Sequence, residues 1–100
     1  MRAFLLATAM ISFPAIASAG VIERACLTSD RSVADRALCT CIQQAADRTL
    51  SARDQRLAAR FFRDPDRAQR VRMSNRRSDE AFWERYESFG AFAQVVCARS

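Results

Sequence analysis

The stretch Ala37-Leu38-Cys39-Thr40-Cys41-Ile42-Gln43-Gln44 places two cysteines one residue apart in a chain that has four. With Leu38 at zero on a wheel of about 100° per residue, Ala34, Ile42, Ala45 and Thr49 all fall within about 40° of it, which makes one apolar helical stripe; strand-like alternation fails. On the same wheel Cys41 lies about 60° to one side of the stripe and Cys39 about 100° to the other. The two sulfurs therefore leave opposite flanks of one helix, and a bond between such near neighbours would strain the geometry a disulfide needs. Each reaches a different partner, and Cys26 and Cys97 are what remains. Four cysteines allow three pairings. The sequential one, Cys26 with Cys39 and Cys41 with Cys97, is preferred to Cys26 with Cys41 and Cys39 with Cys97.

Whether these cysteines are oxidised depends on compartment, and the first residues speak to that. Met1-Arg2 is a short positive start, an uncharged and mostly apolar run follows to Ile16, and Ala17-Ser18-Ala19 before Gly20 has the small-x-small form of a signal-peptidase site. The run is shorter than the roughly 20 apolar residues a bilayer span requires. No cysteine stands at the cleavage point, which argues against a lipid anchor. Residues 1–19 are thus expected to be a signal peptide and residues 20–100 a single exported, periplasmic or secreted bacterial domain. Disulfides are the default state of cysteines in an oxidising compartment.

Residues 20–100 hold nineteen large apolar side chains, a thin supply for one core, and domains this small commonly need cross-links as well. In the chain-entropy model, closing the loop from Cys26 to Cys39 contributes roughly 3 kcal/mol and from Cys41 to Cys97 roughly 4 kcal/mol. Helix signals punctuate the rest. A short apolar segment to Leu27 delivers Cys26, and Thr28-Ser29-Asp30-Arg31 forms a turn. Ser32 with Asp35 has capping-box spacing and opens the central helix, which runs to about Arg48; Ser51 with Asp54 repeats the device. In that next helix Leu57, Ala58, Phe61 and Phe62 make an apolar face. Asp64-Pro65 closes it and starts a short helix to about Met73, with Ala68 and Val71 inward. Ser78 is expected to cap the last helix, with Asp79 and Glu80 at its positive end. There Phe82, Tyr86, Phe89, Ala93 and Val96 form one stripe with Cys97 on its edge, Gly90 marks a kink, and Trp83 sits at the periphery of the core. The expected fold is all-α, a small bundle of four to five short helices stapled by two disulfides.

The chain has no His and no Lys, which removes the usual general base, the commonest metal ligand and every Ser/His or Cys/His arrangement. Its carboxylate pairs, Asp64 with Asp66 and Asp79 with Glu80, sit at helix starts where capping accounts for them. Two glycines cannot build a phosphate-cradling loop. No enzyme, no cofactor and no dedicated metal site is expected. The rival reading of the cysteines is a thiol redox pair or soft-metal (copper) site at Cys39/Cys41.

Arginine supplies all 16 basic residues against 11 acidic ones, a formal net charge of +5. Arg53, Arg56, Arg60 and Arg63, spaced by three and four, line one helix face, and Arg67, Arg70, Arg72, Arg76 and Arg77 follow with no acid among them. Arg presents a planar fork suited to phosphate and carboxylate. These nine residues are the candidate site for an anionic envelope component or an acidic periplasmic protein; nucleic acid is disfavoured by compartment. The alternative is a solvated charged surface without a specific ligand.

The run Cys39-Thr40-Cys41-Ile42-Gln43-Gln44, then Asp54-Gln55-Arg56, Phe61-Phe62-Arg63-Asp64-Pro65 and Phe82-Trp83 with Tyr86 and Phe89, flanked by Cys26 and Cys97, resembles a group of short exported alphaproteobacterial proteins that often carry the automatic label "arginine transporter". The resemblance covers nearly the whole of residues 20–100 and brings no assigned binding or catalytic residues with it. A transport pathway needs spanning helices or a closed barrel, so the resemblance implies at most an accessory to arginine uptake, with acids such as Glu84 and Glu87 facing the cationic substrate. The reading that combines these features is a non-catalytic binding or accessory module with an arginine-rich face.

Overall fold

The structure, a computed structural model, describes residues 20–29 and 35–98. The expected signal segment, the second half of the Thr28–Arg31 turn, and Ser32 lie outside the described residues. Five α-helices and no strand occur among the described residues: α1 (Val21–Leu27), α2 (Arg36–Thr49), α3 (Ala52–Arg63), α4 (Pro65–Arg72) and α5 (Arg77–Cys97). Three of them, α2, α3 and α4, begin where a local side chain provides for an unpaired N–H group. Asp35 caps α2, its carboxylate accepting from Leu38 N at 2.7 Å. Ser51 caps α3 by accepting from Asp54 N at 3.1 Å. Asp64 serves twice: its N–H donates to Arg60 O to close α3, and its carboxylate accepts from Arg67 N ahead of Pro65 at the first position of α4.

Two helix starts differ from expectation. The cap of α2 is Asp35 itself, whose carboxylate one residue before the helix accepts from Leu38 N; Ser32, expected to open the helix, lies outside the described residues. The last helix begins at Arg77 with Arg76 at the cap position, which leaves Ser78 inside the first turn. No side chain caps it; Asp79 and Glu80 in that turn answer the positive end of the helix instead. The helix also runs through Gly90 without interruption and is 21 residues long.

The core gathers Ile22 and Ala25 of α1, Ala45, Ala46 and Leu50 around α2, Ala58, Ala59 and Phe61 of α3, and Phe82, Phe89 and Ala93 of α5. No residue of α4 is buried; Ala68 and Val71 close the edge of the core from outside. Phe61 is the hub. Its ring lies 5.8 Å from Phe82, 6.4 Å from Trp83 and 5.2 Å from Tyr86, separations at which edge-to-face aromatic pairs add to the gain from burial. Trp83 is half-buried against this cluster, as expected of a peripheral core residue.

Helix α2 buries a wider sector than one stripe. Cys39, Gln43, Ala46 and Leu50 are buried on one side, joined to α1 by the Cys26–Cys39 disulfide and to α3 by hydrogen bonds. Leu38 and Ile42, the expected centre, are only half-buried and line a groove shared with Ala93 and Cys97 of α5. The helix is held from two flanks, and the two cysteines set those flanks. The second disulfide, Cys41–Cys97, fixes the rotation of α5. Cys97 is drawn in to 5% exposure, and Val96, expected on the buried stripe, is turned out to 44%.

Candidate functional site

Helix α3 divides cleanly. Ala58, Ala59 and Phe61 face the core, and Arg53, Arg56, Arg60 and Arg63 are all exposed. Steps of three, four and three confine those four guanidinium stems to a sector of about 80°. Two residues of α3 would be expected to sit in water and do not: Asp54 and Gln55 are buried at 5% and 9% exposure. The Asp54 carboxylate receives Arg85 of α5 in a two-point grip, Nε to Oδ2 at 2.6 Å and Nη2 to Oδ1 at 3.2 Å. The hydrogen bond to Asp54 holds the Arg85 guanidinium above its ordinary pKa, with partial desolvation opposing and the carboxylate's charge assisting. Asp54 is the single acid within α3, so turning it inward leaves the outer face of the helix with cations alone.

The other five candidate arginines are arranged differently. Arg70 lies 3.3 Å from Asp64 and Arg67 4.0 Å from the same carboxylate, exposed contacts of the kind that contribute little. Both guanidinium groups edge a cleft of about 330 Å³ whose floor includes Leu57, Phe61, Val71 and Phe82 and whose rim also holds Asp79. Arg72, Arg76 and Arg77 are exposed around the α4–α5 connection. Among the described residues, none of Arg53, Arg56, Arg60, Arg63, Arg72, Arg76 and Arg77 is within ion-pair distance of a carboxylate. The nine residues therefore do not form one uniform surface: four make an unpaired row on α3, two are tied to Asp64, and three surround a turn. Glu84 and Glu87 are exposed on α5, with Glu87 Oε1 accepting from Trp83 Nε1 at 2.6 Å.

A polar cluster went unread in the sequence. Gln43, only 8% exposed, accepts from Glu23 N through Oε1 at 2.9 Å and donates through Nε2 to Asp47 Oδ1 at 2.9 Å and Gln55 Oε1 at 2.8 Å. Gln55 Nε2 in turn donates to Asp47 Oδ1 at 3.2 Å and the Leu50 carbonyl at 3.3 Å. Thr40 donates to Glu23 nearby. No buried side-chain nitrogen or oxygen among the described residues is left without a partner, and this network ties α1, α2 and α3 together. Its one sequence signal is the i, i+4 relation of Gln43 to Cys39, since a cysteine bonded inward carries the next turn of its face inward with it.

The two cysteines of the CxC pair are each bonded to another helix, Cys39 to Cys26 and Cys41 to Cys97, with no free cysteine among the described residues. No group of three or more His, Cys, Asp or Glu side chains converges to hold a metal ion among those residues. No helix among them is long and apolar enough to cross a membrane. Fold and site together define a disulfide-bonded all-α domain with an arginine row on one helix. Comparison with protein-family models, curated proteins and solved structures gives no match.

Proposed function

We propose that this chain is a small exported binding module of the bacterial periplasm, non-catalytic, whose α3 arginine row engages an anionic envelope component or an acidic protein. One observation carries the reading. The only acid of α3 is withdrawn into the core and held there by Arg85, while Arg53, Arg56, Arg60 and Arg63 stay exposed and unpaired. A merely solvated helix face would be expected to intersperse acids with its bases. This row repels a cationic amino acid, which favours an anionic partner over an accessory role in arginine uptake. Export accounts for the two closed disulfides, which persist in oxidising compartments.

The test is titration of the folded protein with phosphatidylglycerol vesicles and with polyglutamate, at about 20 mM and about 300 mM salt, where screening lengths differ several-fold. Binding to one of the two that weakens at least tenfold with salt, and that disappears in the variant R53Q/R56Q/R60Q/R63Q, is the expected result. Equal binding by that variant, with an unchanged helical spectrum, refutes the assignment.

A further inference from the structure

The two disulfides are not equivalent, and their difference points to chemistry at the second one. Cys26 and Cys39 are 4% and 0% exposed, sealed between α1 and α2. In the Cys41–Cys97 bond, Cys97 is 5% exposed but Cys41 is only half-buried. Cys41 lines a surface cleft of about 520 Å³ between α2 and α5, with Gln44, Asp47, Arg48, Phe92 and Val96. Cys41 Sγ lies 3.7 Å from the Val96 carbonyl oxygen, a contact and not a hydrogen bond because a bonded sulfur carries no proton. The cleft thus offers one attackable sulfur, a guanidinium, a carboxylate and an aromatic wall, within a volume typical of small-molecule sites.

We propose that Cys41–Cys97 is a thiol-exchangeable disulfide that takes a small zwitterionic thiol, cysteine or a glutathione-like peptide, in the Cys41 cleft. Arg48 faces the ligand's carboxylate and Asp47 its ammonium. The thiolate attacks Cys41 Sγ, forming a mixed disulfide there and breaking the bond to Cys97, which leaves as a thiolate and takes a proton from water. A second thiol then attacks the ligand's own sulfur, giving the ligand disulfide and returning Cys41 as a thiol. Two external thiols supply the two electrons, and Cys26–Cys39 stays closed because no attacking sulfur reaches it. This site differs from a redox pair made of Cys39 and Cys41, since those two sulfurs belong to different bonds.

The consequence is local opening. Beyond Ala93, residues 94–96 of α5 are exposed, and among the described residues Cys97 is the buried one past Ala93. Its release frees the final turn and uncovers Leu38 and Ile42, which with Ala93 line the apolar groove beneath it. Phe82, Phe89 and the first disulfide remain to hold the rest.

The folded protein is incubated with reduced glutathione, samples are alkylated at intervals, and the four cysteines are mapped by mass spectrometry. Cys41 and Cys97 are expected to open at least about tenfold faster than Cys26 and Cys39, with the glutathione adduct on Cys41, and the difference is expected to vanish in denaturant. The variant Arg48→Gln slows opening by glutathione several-fold and leaves opening by uncharged dithiothreitol unchanged. Equal rates for the two bonds in the native state, or an adduct on Cys97, overturns the site; an Arg48→Gln variant that reacts with glutathione like the parent overturns the ligand class.

Discussion

Gly20 stands against the carboxamide of Gln43 so closely that a methyl group at position 20 would overlap it. Such an overlap is harmless when the neighbour is a loose chain end, but this amide is held by Glu23 N, Asp47 and Gln55. Gly20→Ala is therefore expected to destabilise the fold by roughly 1–3 kcal/mol, the cost of displacing a buried, fully bonded amide. In a double-mutant cycle with Gln43→Ala the second change should remove most of the penalty of the first. Additive urea midpoints would show that the two positions are not coupled.

Gly90 is the opposite case. It lies in the middle of α5, its φ is not positive, and an added Cβ meets no atom within 4 Å. Gly90→Ala should stabilise the protein by about 0.5–1 kcal/mol through helix propensity alone. A lowered melting temperature would mean that this helix needs to bend there.

The Arg85–Asp54 grip predicts a destabilised Arg85→Met variant, because it strands a carboxylate that is 5% exposed. Adding Asp54→Asn should restore part of the loss. The pH behaviour follows from the direction of the shift. The guanidinium's pKa is raised on folding, so its contribution is complete below the ordinary arginine value and is lost only as pH rises through the raised one. The stability gap between parent and Arg85→Met should stay constant from about pH 6 to about pH 10, far below arginine titration. A gap that closes across that range in urea titrations contradicts this.

Phe61 touches three other aromatic rings. Phe61→Ala is expected to lose about 3–5 kcal/mol, the usual range for a buried Phe. The emission of Trp83, which packs on that ring, should shift to the red even at temperatures where the variant remains helical. Unchanged emission would place Trp83 outside the cluster.

What could be read without the structure was what local chemistry decides. Ser51, Asp64 and Pro65 act within one turn of their own positions, and two sulfurs leaving opposite flanks of one helix exclude a bond between Cys39 and Cys41 and leave two pairings, of which the preferred sequential one is observed. What could not be read depends on partners distant in sequence. Asp54 looks like half of a capping box until Arg85, 31 residues on, claims its carboxylate. Gln43 and Gln55 look solvated until they meet each other. Cys97, bonded to Cys41, is buried where Val96 was expected, and Val96 is exposed. For the same reason the division of the nine candidate arginines into an open row, a pair tied to Asp64 and three around a turn could not be read from the sequence.

Both covalent links join cysteines that are consecutive in the chain. A polypeptide that emerges amino end first shows Cys26, then Cys39, then Cys41, then Cys97, so an oxidant that simply couples thiols in order of arrival makes the native bonds. Nothing needs reshuffling, and an isomerase would have no error to correct.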